Sequence, residues 1–323
     1  MSTVTAIRPD LRASLRHPDD ALPRSSIGTV PMLWINSDDA VRSGLDATTI
    51  LDEIARTGFE GTQLGKGFPE GAELRDELAR RDLRLAEVYV PLPASVDGPT
   101  ADAPEIAIDR IRVLREGGGD VLCVALPSSS GRDGWAGRAT DPEAPRLTDA
   151  GWDALIGVLD DITDHAGQRI AFHPHGATFI ETEAEVDRLV ASTDPSRVGI
   201  CLDTGHHLVG GGDPVAAIRV FGDRITHVHL KDVDPTVLAR LQSGELGGLG
   251  HAVRERLFAE LGAGILDLDG VIEALVERDY AGWLIVEQDS TWGPPSESAA
   301  IGRRVLASAL RRHGRAGANG PGA

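Results

Sequence analysis

The chain is predicted to fold as a single (β/α)8 barrel, the TIM-barrel architecture. Three observations carry this. Short apolar, β-branched runs begin near Ile27, Phe59, Arg84, Val121, Ile170, Val198, Ile225 and Trp283. Capped helical stretches separate them, as eight βα units require. No glycine-rich dinucleotide fingerprint follows the first run, which disfavours an open doubly wound sheet.

Taken in order, residues 1–25 mix Pro, Arg, Asp and Ser without periodicity and read as a tail. The barrel is expected over 26–313. Asp46 precedes the helical run with Ile50, Leu51 and Ile54, and Gly58 stops it. Asp102 and Pro104 open the stretch holding Ile111 and Leu114; farther on, Leu155, Ile156, Leu159 and Ile162 share one helical face. Thr182 and Glu185 have capping-box spacing, and Asp213-Pro214 is an N-cap followed by Pro at the first helical position. The stretch 234–260 exceeds an ordinary βα loop and is expected to hold an extra helical insertion covering one end of the barrel. The last helix spans about Ser296 to His313, with Ile301, Val305 and Leu306 inward, and the Gly/Ala/Pro-rich 314–323 reads as a flexible tail.

Composition narrows the function. Of 323 residues, 41% are hydrophobic and 25% charged, with 50 acidic against 32 Lys and Arg and a net charge of -18. Such a polyanion repels nucleic-acid backbones and anionic lipid surfaces. No apolar run approaches the ~18 residues of a membrane helix. Cys123 and Cys201 both sit inside strand-like apolar runs, which fits a reducing compartment rather than a disulfide scaffold. The N-terminal segment lacks a signal-peptide apolar core, so a cytoplasmic location is expected.

Barrel enzymes work at the C-terminal ends of their strands. Trp34, Asn36, Asp38 and Asp39 follow the first strand, and Gln63 and Lys66 the second; the third ends AEVYVP and the fourth in Ser128–Ser130. The later strands are richer, ending FHPH, CLDTGHH, HVHLKD and VEQD. Six of the ten histidines (His173, His175, His206, His207, His227 and His229) lie between 173 and 229. Imidazole and carboxylate are the usual ligands of a divalent first-row metal. Strand alternation puts His227 and His229 on one face, with His229 nearer the C-terminal end; Asp203 closes its strand. Taken singly, a strand-end Asp reads as a helix cap and a lone histidine as packing. The joint appearance of Asp203, His229 and Glu287 on three successive strands favours a site. His207 and His251 read as packed or surface residues, Trp34 and Trp283 as core or pocket wall.

These residues stand in longer motifs: PMLWINSDD, GFEGTQLGKGFP, FHPHGATFIETEAEVDRL, CLDTGHHLVGGGDP, ITHVHLKDV and YAGWLIVEQD. With them the chain resembles the xylose-isomerase-like barrel superfamily, in particular its myo-inosose dehydratase branch, over most of 27–313. The resemblance implies that Asp203, His229 and Glu287 bind a divalent metal, manganese or cobalt before magnesium or zinc. His173 aligns with a fifth-strand glutamate ligand of sugar epimerases and is the candidate fourth ligand. His175 and His206 then fall near the substrate, and Asn36 and Asp38 match the first-strand motif. Trp34, Asn36, Asp38, Gln63 and Lys66 are the candidate substrate contacts. The chain departs from the branch at Gln63, where glutamate is usual, at LGAG 261–264 in place of PGDG, and around Tyr89 and ALPSSS.

A metal-chelated ketone acidifies the neighbouring carbon through an enediolate. Epimerases of the superfamily place paired carboxylate bases on opposite substrate faces; this chain keeps Glu287 but has His173 in the second place. One carboxylate with several histidines suits elimination, because imidazole is a competent acid near neutral pH. The expected activity is therefore a metal-dependent carbon–oxygen lyase dehydrating an inosose-type keto-cyclitol. Glu287, His175, His206 and Lys231 are the candidates for proton transfer. The alternatives are a ketose or keto-inositol isomerase or epimerase, a lyase cleaving a 3-keto-glycoside by β-elimination, and a non-enzymatic cyclitol-binding module. The expected partner is a small polyol or sugar. Barrels of this type often form homo-oligomers, but nothing in the chain marks an interface.

Overall fold

The computed structural model describes residues 17, 20–35, 45–289 and 293–317. Its centre is a closed barrel of eight parallel strands. They are β1 (Ser26–Thr29), β2 (Gly61–Gln63), β3 (Arg84–Pro91), β4 (Val121–Ala125), β5 (Ile170–Phe172), β6 (Val198–Asp203), β7 (Ile225–Leu230) and β8 (Trp283–Val286). Each pairs with its neighbours in sequence, and β8 closes on β1 from Ser26↔Trp283 to Thr29↔Val286. The helices are α1 (Ala47–Arg56), α2 (Gly71–Ala79), α3 (Ala103–Gly117), α4 (Asp149–Ala166), α5 (Glu183–Ser192), α6 (Pro214–Phe221), α7 (Leu268–Glu277) and α8 (Pro295–Gly317). Several one- or two-turn helices lie in the loops.

Local chemistry explains the boundaries. The Asp46 side chain accepts the Thr49 N–H and starts α1, and Thr182 and Glu185 form a reciprocal capping box on α5. Asp213 accepts from Val215 and Ala216, with Pro214 supplying the preset φ of the first helical position. The apolar stripes of the helices, Ile50, Leu51 and Ile54 among them, join the outward faces of the strands in one continuous core. Asp20–Leu22 are already buried, and the Ala21 N–H donates to Leu310 O of α8, where composition alone suggests a tail. Likewise α8 runs on to Gly317.

Inside the barrel, Val30, Ala86, Trp283 and Ile285 pack together, and Cys123, Ala171 and Cys201 form a neighbouring layer. Trp283 is core, as read from the sequence. Its indole N–H donates to Asp120, and Arg84 stacks on its ring at 4.4 Å. The ring fits because β2 carries no side chain there: a β-carbon on Gly61 would stand 2.5 Å from Trp283 Cη2 and 2.7 Å from Arg84 O. Both cysteines are free and buried. Among the described residues, no helix is long and apolar enough to cross a membrane.

Two register shifts interrupt the parallel pairing among the described residues. One, between Thr62 and Gln63, sets Gln63 level with Glu87 of β3. The other, between Ile200 and Cys201, aligns Asp203 with His229 of β7. After β7, Asp232–Val233 pairs antiparallel with Phe258–Ala259. Between these two short strands lie the helices Pro235–Gln242 and Leu249–Arg254, whose Val237, Leu241 and Leu249 share a second, smaller core with Ala136, Ala177 and Val209.

Gly61→Ala is expected to destabilise the barrel by about 1–3 kcal/mol or more through overpacking. Thermal unfolding measures the loss, and a Trp283→Phe background is expected to recover part of it.

Candidate metal centre and active site

The C-terminal ends of β5 to β8 bring His173, Asp203, His229 and Glu287 together. Each offers one ligand atom, all of these atoms lie within 4.8 Å of one another, and all four residues are buried. His173 Nε2 is 3.6 Å from Asp203 Oδ2; His229 Nδ1 is 3.9 Å from the same oxygen and 2.5 Å from Glu287 Oε2. Asp203 is a helix cap as well as a cluster member. Its Oδ1 accepts the His206 N–H at 2.8 Å at the start of the helix Thr204–Val209, while Oδ2 turns into the cluster.

Lys231 follows β7 and is buried. Its Nζ lies 2.8 Å from Glu287 Oε1, 3.1 Å from Asp289 Oδ1, 3.3 Å from Asp203 Oδ2 and 3.1 Å from His206 Nε2. Two local devices fix this course. Thr204 Oγ1 accepts the Lys231 N–H and donates to the Lys231 carbonyl. Gly205 lets the lysine stem pass, since a β-carbon there would meet Lys231 Cγ at 2.7 Å. The insertion contributes Phe258, whose ring lies 4.6 Å from Lys231 Nζ and edge-on to His206.

The electrostatics follow from burial and pairing. Burial works against ionisation of Asp203 and Glu287, yet Lys231 and the neighbouring histidines hold both carboxyls below their ordinary range. Burial also opposes the charge on Lys231, but Asp203, Asp289 and Glu287 hold it well above the usual lysine value. Burial pushes Asp289 up to about 6. It pushes His175 down to about 3 and His206 well below the imidazole range, with neighbouring positive groups adding to both shifts. These two rings lie 3.5 Å apart, tilted by 34°.

Asp203 Oδ2, His229 Nδ1 and Glu287 Oε2 are buried and meet one another and Lys231 as ion pairs, with no other side-chain hydrogen bond. Two carboxylate oxygens and two imidazoles converging in this way are a donor set that fits a divalent metal.

The other candidates divide. Gln63 and Lys66 line a cavity of about 420 Å3 with Tyr89, Met32 and Arg110; the Tyr89 ring also lies edge-on to His173. Trp34 is not brought to the site. It is fully buried, and its indole N–H donates to Glu53 of α1 at 2.6 Å, so it anchors the helix layer instead of facing substrate. Asn36 and Asp38 lie outside the described residues. The segment 261–264 wraps the Asp232 carboxylate, which accepts the Gly262 and Gly264 N–H groups. His207 points away toward Glu183.

Sequence reasoning missed Glu87, Asp289 and Phe258. Glu87 of β3 is fully buried and accepts from His227, His229 and Gln63. Its signal was a single carboxylate within the apolar run LAEVYV, which a barrel interior tolerates only when paired.

The sequence pattern described as "Xylose isomerase-like TIM barrel" matches residues 51–309. The chain is 33% identical over 291 residues to inosose dehydratase of Bacillus velezensis, covering 88% of this chain and 96% of that one. It is 34% identical over 297 residues to the rhizopine catabolism protein MocC of Rhizobium meliloti, covering 89% of each. Among solved structures, the IOLI protein with a bound zinc atom superposes with a TM-score of 0.66 at 13% identity, over 89% of this chain and 98% of that one.

Lys231→Met is expected to cost the metal-free protein about 3–5 kcal/mol, because it strands buried carboxylates without their cation. Chemical denaturation in the presence of a chelator measures this. The folded-state pKa values of Asp203 and Glu287 are depressed, so their contribution is present above the unfolded carboxylate range and is lost as pH falls through the folded values. The gap between wild type and variant is therefore expected to be widest near neutrality and to close in acid.

Proposed function

The chain belongs to the xylose isomerase-like TIM barrel family, and within it we propose that it is a lyase, dependent on manganese or cobalt, that removes water from an inosose-type keto-cyclitol. The observation that carries this reading is the buried, converging set of ligand atoms on Asp203, His229 and Glu287 with an imidazole, His173, in fourth place. The inosose dehydratase relatives support the substrate class, and the IOLI protein, of the same fold, holds a zinc atom.

Held by these four residues, a divalent metal supplies Lewis-acid stabilisation for the charge that develops on a substrate ketone oxygen. Glu287 is the base for the carbon-bound proton beside the ketone, since its carboxyl is ionised over the whole neutral range. Lys231 is the charged donor to the leaving hydroxyl. The proton that Glu287 takes returns to Lys231 across the 2.8 Å contact between Oε1 and Nζ, which restores both groups as water departs. His175 and His206, held neutral by burial, orient substrate oxygens and do not act as the acid. Gln63, Lys66 and Tyr89 line the cavity in which the rest of the ring would rest. Epimerisation needs a second base on the opposite face, and His173 occupies that position.

Incubation with 2-keto-myo-inositol and manganese in deuterated water is expected to yield a product lighter by one water, read by mass spectrometry and NMR. A product of intact ring mass with α-deuterium and inverted configuration would make the enzyme an epimerase. Release of an aglycone from a 3-keto-glycoside, with no reaction on cyclitols, would move the same chemistry to a larger leaving group. Asp203→Asn is expected to lose metal, measured by elemental analysis, while circular dichroism stays unchanged; His173→Glu is expected to introduce weak epimerisation.

A further inference from the structure

We propose that Glu87 is a positioning residue for the metal centre: its carboxylate accepts the Nε2–H of His229 and thereby fixes the tautomer that directs the Nδ1 lone pair at Asp203 and Glu287. This rests on the proposed metal-dependent function. Glu87 stands on β3, on the barrel wall opposite β7, and has no solvent exposure. Three donors converge on it. His227 Nε2 and His229 Nε2 meet Oε2 at 2.6 and 3.0 Å, and Gln63 Nε2 meets Oε1 at 2.8 Å.

An ionised carboxylate only accepts, so each ring nitrogen bonded to it carries the hydrogen. For His229 this leaves Nδ1 as the nitrogen that faces Glu287 Oε2, at 2.5 Å: protonated, it pairs with that carboxylate in the metal-free chain, and once the proton is displaced it offers its lone pair to a metal. A lone pair facing a carboxylate oxygen at that separation is repulsive unless positive charge lies between them. Glu87 therefore reserves Nδ1 as the position that a proton or a metal occupies opposite Glu287. A carboxylate behind a ligating histidine raises its basicity and fixes its ring, and removing one typically costs ten- to a hundredfold in metal affinity.

The surroundings keep Glu87 from turning away. Gln63 holds the second oxygen, and it reaches that oxygen because the register shift in β2 sets Gln63 level with Glu87. His227, also fully buried, donates to the same oxygen as His229. Two imidazole N–H groups and one amide thus restrain a single carboxylate whose only neighbour in the ligand set is His229.

The experiment compares wild type with Glu87→Gln, which keeps the shape but presents a donor where two N–H groups point. Zinc affinity by chelator competition is expected to fall about ten- to a hundredfold, with the circular dichroism of a folded barrel. In zinc-loaded protein labelled with 15N-histidine, NMR is expected to show His229 protonated at Nε2 and metal-bound at Nδ1. Wild-type spectra with the nitrogens reversed would overturn the proposal even if the variant did not fold. So would unchanged affinity in the variant, or two equivalents of zinc per chain with one between Glu87 and the imidazoles. None of these readouts uses a substrate, so failure to dehydrate any keto-cyclitol would fault the assigned reaction and leave this test standing.

Discussion

The mouth of the barrel is organised by one ion network, in which Lys231 is surrounded by Asp203, Glu287 and Asp289. Charges taken out of water are tolerated only with close, hydrogen-bonded partners. Much of the neighbouring structure serves that requirement. Thr204 clamps the lysine backbone, Gly205 clears space for its stem, and Phe258 covers its ammonium group. The same carboxylates make up half of the candidate ligand set, so Lys231 and a bound cation draw on the same negative charge. In the metal-free chain the lysine carries that load with His229, which Glu87 and Glu287 flank.

The parts of this arrangement that chain position alone determines were legible in the sequence. A parallel barrel puts the residue at each strand's C-terminal end on one face, so Asp203, His229 and Glu287 could be placed from the strand starts; the same rule favours His175 over His173, and His173 enters through the family resemblance. Alternation puts His229 and His227 on one face, and position along the strand separates them, His227 lying one pleat deeper. Other features depend on contacts across the barrel. Glu87 belongs to the site because β3 faces β7, and no local pattern states that distance. Trp34 sits close in sequence to the first strand end, yet its large ring is better buried against α1, with Glu53 satisfying its N–H. Phe258 returns to the mouth only because the ribbon of Asp232–Val233 and Phe258–Ala259 closes.

The two register shifts have a common effect. Regular parallel pairing would leave Gln63 out of step with Glu87 and Asp203 out of step with His229. Each irregularity adds a residue locally and turns a polar side chain toward the interior, at the expense of ladder hydrogen bonds. They occur where polar groups must meet inside an otherwise apolar barrel, and the remaining strands of the closed sheet supply the rigidity around them.

The short ribbon after β7 also has an architectural consequence. Because Asp232 pairs directly with Ala259, the inserted helices leave and rejoin the barrel at a single point. Their core around Val237, Leu241 and Leu249 also takes in Ala136, Ala177 and Val209 from the segments after β4, β5 and β6. A segment with coincident ends can change length with only a slowly growing entropic penalty, provided that Ala136, Ala177 and Val209 stay covered. The barrel thus offers a grafting point for new lids, with Phe258 as the hinge-side residue to retain.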